Sequence, residues 1–175
     1  MLIRVIRARL LNILSTFARK IKNAKEILIH QVVFMADTPI IEETIKLIKE
    51  GQKVTLRANG HSMLPFIVEG KDDVLLVQPT TPRIGDVVLA HINGNRYVIH
   101  RIIAINGDNI TLMGDGNLAE QEHCLRNDIA ARVDYFINSK GERHYLYTPF
   151  RIIMARIWFW LLPFRRYLLA IYRRL

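Results

Sequence analysis

The chain has 175 residues, half of them hydrophobic, with nine glycines and six prolines, so it is long enough to bury one core and is neither disordered nor fibrous. Its single cysteine, Cys124, excludes an intramolecular disulfide and any CxxC metal or redox site. The formal charge of +9 sits at the ends: residues 1–34 carry a net +6 and residues 149–175 another +6 without any acid, which leaves the middle acidic.

In chain order, residues 1–34 place Leu2, Ile6, Leu10, Ile13, Phe17, Ile21, Ala24 and Leu28 at steps of three and four and read as a basic amphipathic helix. The longest uncharged run there, residues 10–18, is far short of the roughly 20 apolar residues that span a bilayer. A cleaved secretory signal, a transit-like peptide and a start at Met35 are the other readings this stretch admits. Residues 35–51 read as a short helix, with Thr38 as N-cap, Pro39 at the first helical position, lysines late and Gly51 past the end.

Six strand signals follow: KVTLRA, DVLLVQ, GDVVLAHI, RYVIHRIIAI, NITLM and AARVDYFI, separated by polar, Gly-containing turns. No ten-residue helical pattern interrupts them, so residues 52–148 are expected to form a mainly β domain, a small coiled or barrel-like sheet. Residues 149–175 are expected to be a helical tail broken at Pro163, again with no uncharged stretch long enough to span a membrane. Its Trp158, Trp160, Tyr167 and Tyr172, set among arginines, suit the headgroup layer of an anionic membrane. The competing reading is that this helix and the first one pack on each other or on a partner, burying the aromatics. The fold expected is thus a mainly β domain flanked by N- and C-terminal amphipathic helices. Its expected place is peripheral, on the cytoplasmic face of a membrane.

Within the β domain, Ser62 lies in the turn GHSMLP, where a serine beside glycine is ordinarily a turn residue. In RYVIHRIIAI, period-two alternation puts His100 on the face of Val98, Ile102 and Ala104, pointing to the apolar side, where a neutral imidazole could accept the Ser62 proton. A core histidine satisfied by a carbonyl is the competing reading. His91 shares a face with Val87 and Leu89 and reads as structural. His61 points away from Ser62 if the chain stays extended, and His123 with Cys124 lacks the matching pair a metal site needs.

The stretches GHSMLP, VEGKDDVLLVQP, RIGDVVLAHI, YVIHRIIAING and TLMGDGN, in that order over residues 53–135, resemble the catalytic domain of the serine peptidase superfamily that joins type I signal peptidases to LexA-like self-cleaving repressors. The pairs Ser62-Met63, Gly85-Asp86 and His100-Arg101 carry the likeness, which implies Ser62 as nucleophile and His100 as base. VIHR, with GDGN, resembles the histidine-base branch typified by the endoplasmic reticulum enzymes. A histidine needs no large pKa depression to be neutral at pH 7, whereas the lysine of the other branch must be buried.

Where that branch carries an aspartate to orient the base, Glu120 and Gln121 stand here. Among Asp115, Glu120 and Glu122, Asp115 is the expected orienting carboxylate, because its flanking glycines allow close approach. Gly60 stands where many signal peptidases have a hydroxyl residue, so the expected oxyanion hole is the Ser62 N–H with Gly60. Met63 and Pro65 are the expected substrate-side residues. No cofactor or metal is called for.

The resemblance implies a serine endopeptidase that cleaves an extended peptide of a precursor protein, in the manner of signal- or leader-peptide processing, with small side chains before the cut. The alternatives are a self-cleaving repressor-type peptidase without a DNA-binding domain and a catalytically silent β-module for membrane or protein attachment. Nucleic acid is not an expected partner, because a basic amphipathic stripe is not a helix-turn-helix.

Overall fold

Helix α1 (Thr38–Lys49) has Ile41, Ile45 and Ile48 on one face, all buried, and ends where Gly51 turns the chain at φ 87°. The computed structural model describes residues 38–172 other than Asn95, together with Arg174. The expected helix over residues 1–34 lies outside the described residues.

Eight strands follow: β1 (Val54–Arg57), β2 (Asp73–Val77), β3 (Val87–Ile92), β4 (Arg96–Asn106), β5 (Asn109–Met113), β6 (Glu122–Leu125), β7 (Ile129–Ile137) and β8 (Arg143–Tyr145). They form one antiparallel sheet in the order β1-β2-β7-β3-β4-β5-β6, with β8 added to β7. The fold is mainly β, a curled sheet with a few helices. The six strand signals of the sequence all correspond to strands. The two without a signal, β6 and β8, are short and carry their apolar residues too sparsely to alternate.

The curled sheet buries its central strand β3 on both faces. In β3, Val87 and Leu89 point into a core shared with α1, Leu56, Val74 and Val133, while Val88, Ala90 and Ile92 point into a second core with Val98, Ile102, Ile110 and Leu112. Each fully buried aliphatic side chain contributes about 1.5–3 kcal/mol. Irregularities of register at Leu75/Leu76, Leu89/Ala90 and Ile102/Ala104 supply local twist. The last of these turns Ala104 out to solvent, away from the face that strict alternation would have it share with His100.

After β8, the Tyr147 hydroxyl donates to the carbonyl of Val133 at 2.7 Å and accepts the N–H of Val87 at 3.2 Å, fixing the exit of the chain from the sheet. Thr148 then caps α2 (Pro149–Trp160), whose Pro149 sits where a missing N–H costs nothing. A 3₁₀ turn (Leu162–Phe164) containing Pro163 leads into α3 (Arg165–Tyr172). No helix among the described residues is long and apolar enough to cross a membrane.

Candidate active site

Ser62 lies in a 3₁₀ turn, His61–Met63, just after β1. Gly60 opens that turn at φ 87°, a conformation that strains any residue with a Cβ, so the glycine is needed for the backbone itself. The turn is held from both sides. Glu69 accepts the N–H of Gly60 at 2.9 Å and pairs with Nδ1 of His61 at 3.0 Å, while the N–H of Gly116 donates to the carbonyl of Ser62 at 2.6 Å. A methyl group on Gly114 would lie 2.4 Å from the Ser62 oxygen, and one on Gly116 would lie 2.5 Å from the His61 oxygen. The two glycines of GDGN are therefore what allow the loop to seat against the Ser62 turn.

His100 is 4% exposed and stands in β4 between Val98 and Ile102. Its Nδ1 is 2.5 Å from Oε2 of Glu122, whose other oxygen takes the guanidinium of Arg96. Because the carboxylate can only accept, Nδ1 carries the proton and Nε2 is left as the acceptor nitrogen. Burial pushes the imidazole below its ordinary 6.5; the Glu122 charge and hydrogen bond pull the other way, and Arg96 adds to the lowering. His100 is thus neutral at pH 7 with its tautomer set. Ser62, His100 and Glu122 line a single cleft of about 330 Å³, whose other walls include Gly60, Met63 and Glu120.

The carboxylate on His100 is not that of Asp115. Asp115 is engaged in a two-pronged pair with Arg101, Nε to Oδ1 at 2.8 Å and Nη2 to Oδ2 at 2.6 Å. Strand parity explains the sorting. Arg101 is paired with Met113, two residues from Asp115, whereas Ile102, on the face of His100, is paired with Leu112, which is paired with Glu122. Adjacent residues of β4 point to opposite faces, so each takes the carboxylate on its own side. The glycines flanking Asp115 serve the Ser62 turn instead of an approach to His100. Once β5 and β6 are aligned, this parity singles out Glu122; the flanking glycines alone favour Asp115.

Other expected site residues are placed as follows. The N–H of Gly60 is already committed to Glu69, so it does not serve an oxyanion, and the Ser62 N–H is the remaining expected donor. Met63 is buried and forms part of the cleft wall, while Pro65 lies outside it. His61 faces Glu69 rather than Ser62. His91 stacks on Tyr97 at 4.5 Å, and His123 lies against Thr111 at the surface. Burial raises the Cys124 thiol to about 11, which leaves it without thiolate at neutral pH. Among the described residues, no group of three His, Cys, Asp or Glu could hold a metal ion.

The C-terminal helices reach the same loop. Trp158 Nε1 donates to the carbonyl of Asp115 at 2.7 Å, and Arg165, only 1% exposed, donates to the carbonyl of Asn117 at 2.6 Å. Trp158 meets Phe66 edge-on at 6.1 Å, and the Arg165 guanidinium lies over the Trp158 ring at 5.5 Å.

No curated protein matches the chain. A family model described as peptidase S24-like matches residues 18–133, about two thirds of the sequence and the whole span from the Ser62 turn to the middle of β7. The chain therefore belongs to the peptidase S24-like family, in the serine peptidase superfamily shared by LexA-like repressors and signal peptidase I-like enzymes.

Proposed function

We propose that this protein is a serine endopeptidase in which Ser62 attacks a peptide carbonyl, His100 moves the proton and Glu122 orients His100. The observation that carries the reading is the burial of a neutral His100, with Nδ1 pinned by Glu122, in the cleft that Ser62 lines. Nε2 accepts the Ser62 hydroxyl proton as Oγ bonds to the carbonyl carbon. The Ser62 N–H is the donor placed where negative charge develops on the carbonyl oxygen. Glu122 balances the imidazolium, which then returns its proton to the departing amine. Water, deprotonated by His100, hydrolyses the acyl-serine.

The substrate is an extended segment of a precursor protein, with small side chains before the cut. Among the described residues β1 and β6 are the end strands of the sheet path, and each adjoins one half of the site: β1 runs into the Ser62 turn, and β6 begins with Glu122. Strand addition at such an edge would give main-chain hydrogen bonds without demanding a particular sequence.

The test is reaction with a serine-directed phosphonate followed by intact mass and peptide mapping. The expected result is one adduct at Ser62, absent from Ser62→Ala and from His100→Ala. Absence of any adduct at Ser62 in the wild-type chain would refute the nucleophile assignment. Incubating the wild-type and Ser62→Ala chains alone, and weighing both, separates cleavage of other chains from cleavage of itself.

A further inference from the structure

We infer that α2 and α3 form a docking surface for an anionic lipid bilayer. On α2, Phe150, Ile153, Ile157 and Trp160 follow at steps of three and four, and all four are exposed, Trp160 at 86%. The spacing continues through Phe164 and Tyr167, 61% and 65% exposed. The opposite side of the pair is the one that packs: Trp158, Arg165 and Leu169 face the domain. The stripe thus stays outward at helical period although the inner side of the same helices, with Trp158, Arg165 and Leu169, already packs on the domain. It marks a contact surface.

The occupant follows from charge. Arg156 and Arg166 are exposed beside the stripe, and residues 149–175 contain no acid. A second copy would bring the same cationic face against this one, and residues 1–34 carry a net +6 of their own. Either repels. A bilayer with anionic headgroups supplies both the apolar depth for Trp160 and Phe164 and the negative charge for the arginines. The helices would lie in the interface plane, since α2 has 12 residues, about 18 Å at 1.5 Å per residue, against a hydrocarbon core of roughly 30 Å. Of the tail's two tryptophans only Trp160 is free for lipid, because Trp158 is engaged on Asp115.

The experiment uses the full chain with vesicles of pure phosphatidylcholine or phosphatidylcholine with phosphatidylglycerol, at low and high salt. Expected is sedimentation with the anionic vesicles, weakened by salt, and a blue shift of tryptophan emission that Trp160→Phe abolishes. Phe150→Ser with Trp160→Ser, both on the exposed face, should reduce anionic-vesicle affinity at least ~10-fold while leaving Tm unchanged, and Arg156→Glu with Arg166→Glu should do the same. Three results would each overturn the proposal: no binding to anionic vesicles; binding that these variants leave intact, which would assign it to residues 1–34; or a dimer in solution that the Phe150/Trp160 variant dissociates, which would make a second copy the occupant.

Discussion

Replacing Glu122 by glutamine keeps the shape of the side chain and removes its charge, so it isolates what the carboxylate does for His100. A charge-assisted hydrogen bond contributes about 1.5–3 kcal/mol, and unit charges 4 Å apart attract by ~4 kcal/mol at an effective dielectric constant near 20. The attraction exists only once His100 is protonated, that is, in the transition state for acylation. The expected loss is therefore about 2–4 kcal/mol of barrier, or roughly 30- to 1,000-fold in rate. Folding should change little, because the other partner of Glu122 among the described residues, Arg96, has a side chain 63% exposed. The pH dependence carries a sign. The proposed reaction needs neutral His100, so the rate should fall on acidification through the histidine pKa, already below 6.5. Glu122 raises that pKa, so Glu122→Gln should move the acid limb further down even as the maximum falls. Arg96 lowers it, so Arg96→Gln should move the limb up. The assay is the second-order rate of phosphonate labelling at Ser62 from pH 4 to 9. An unchanged maximum, or an acid limb that moves up in Glu122→Gln, would refute the role given to Glu122.

The remaining predictions concern the rest of the site. Ser62→Ala, His100→Ala and the double variant should lose similar activity against a peptide substrate, as the proposed joint action of the pair requires; additive losses would separate them. Gly114→Ala must push the Ser62 turn away to relieve a 2.4 Å contact, and should cost about 1–3 kcal/mol of stability and, for a shift near 1 Å, roughly 100-fold in labelling rate. Asp115→Ala strands the Arg101 guanidinium, whose side chain is 12% exposed, and should lower stability in urea by about 3–5 kcal/mol; a loss below 1 kcal/mol would mean the ion pair matters little.

Local pattern accounts for much of this arrangement. Alternation in RYVIHRIIAI places His100 with Val98 and Ile102, and the strand-like run ahead of GHSMLP places Ser62 in a turn after β1. What local pattern misses depends on registers that residue type does not encode. Glu122 and His100 are 22 positions apart and are connected only through two ladders, one of them with a register shift between Ile102 and Ala104. Nor does helical period say which side of the tail packs. The burial of Arg165 and Leu169 and the hydrogen bond of Trp158 are what show which side turns inward.

The shared use of residues 114–117 by the Ser62 turn and by the tail bears on how this chain could be trimmed. Family likeness stops at residue 133, yet Trp158 and Arg165, far beyond that limit, hold the carbonyls of the loop on which Ser62 rests. A fragment cut to the homologous span would keep Ser62, His100 and Glu122 and lose the contacts that hold the loop behind the Ser62 turn. A shortened chain that keeps those contacts extends at least through Leu169, which is buried on the same side of α3 as Arg165.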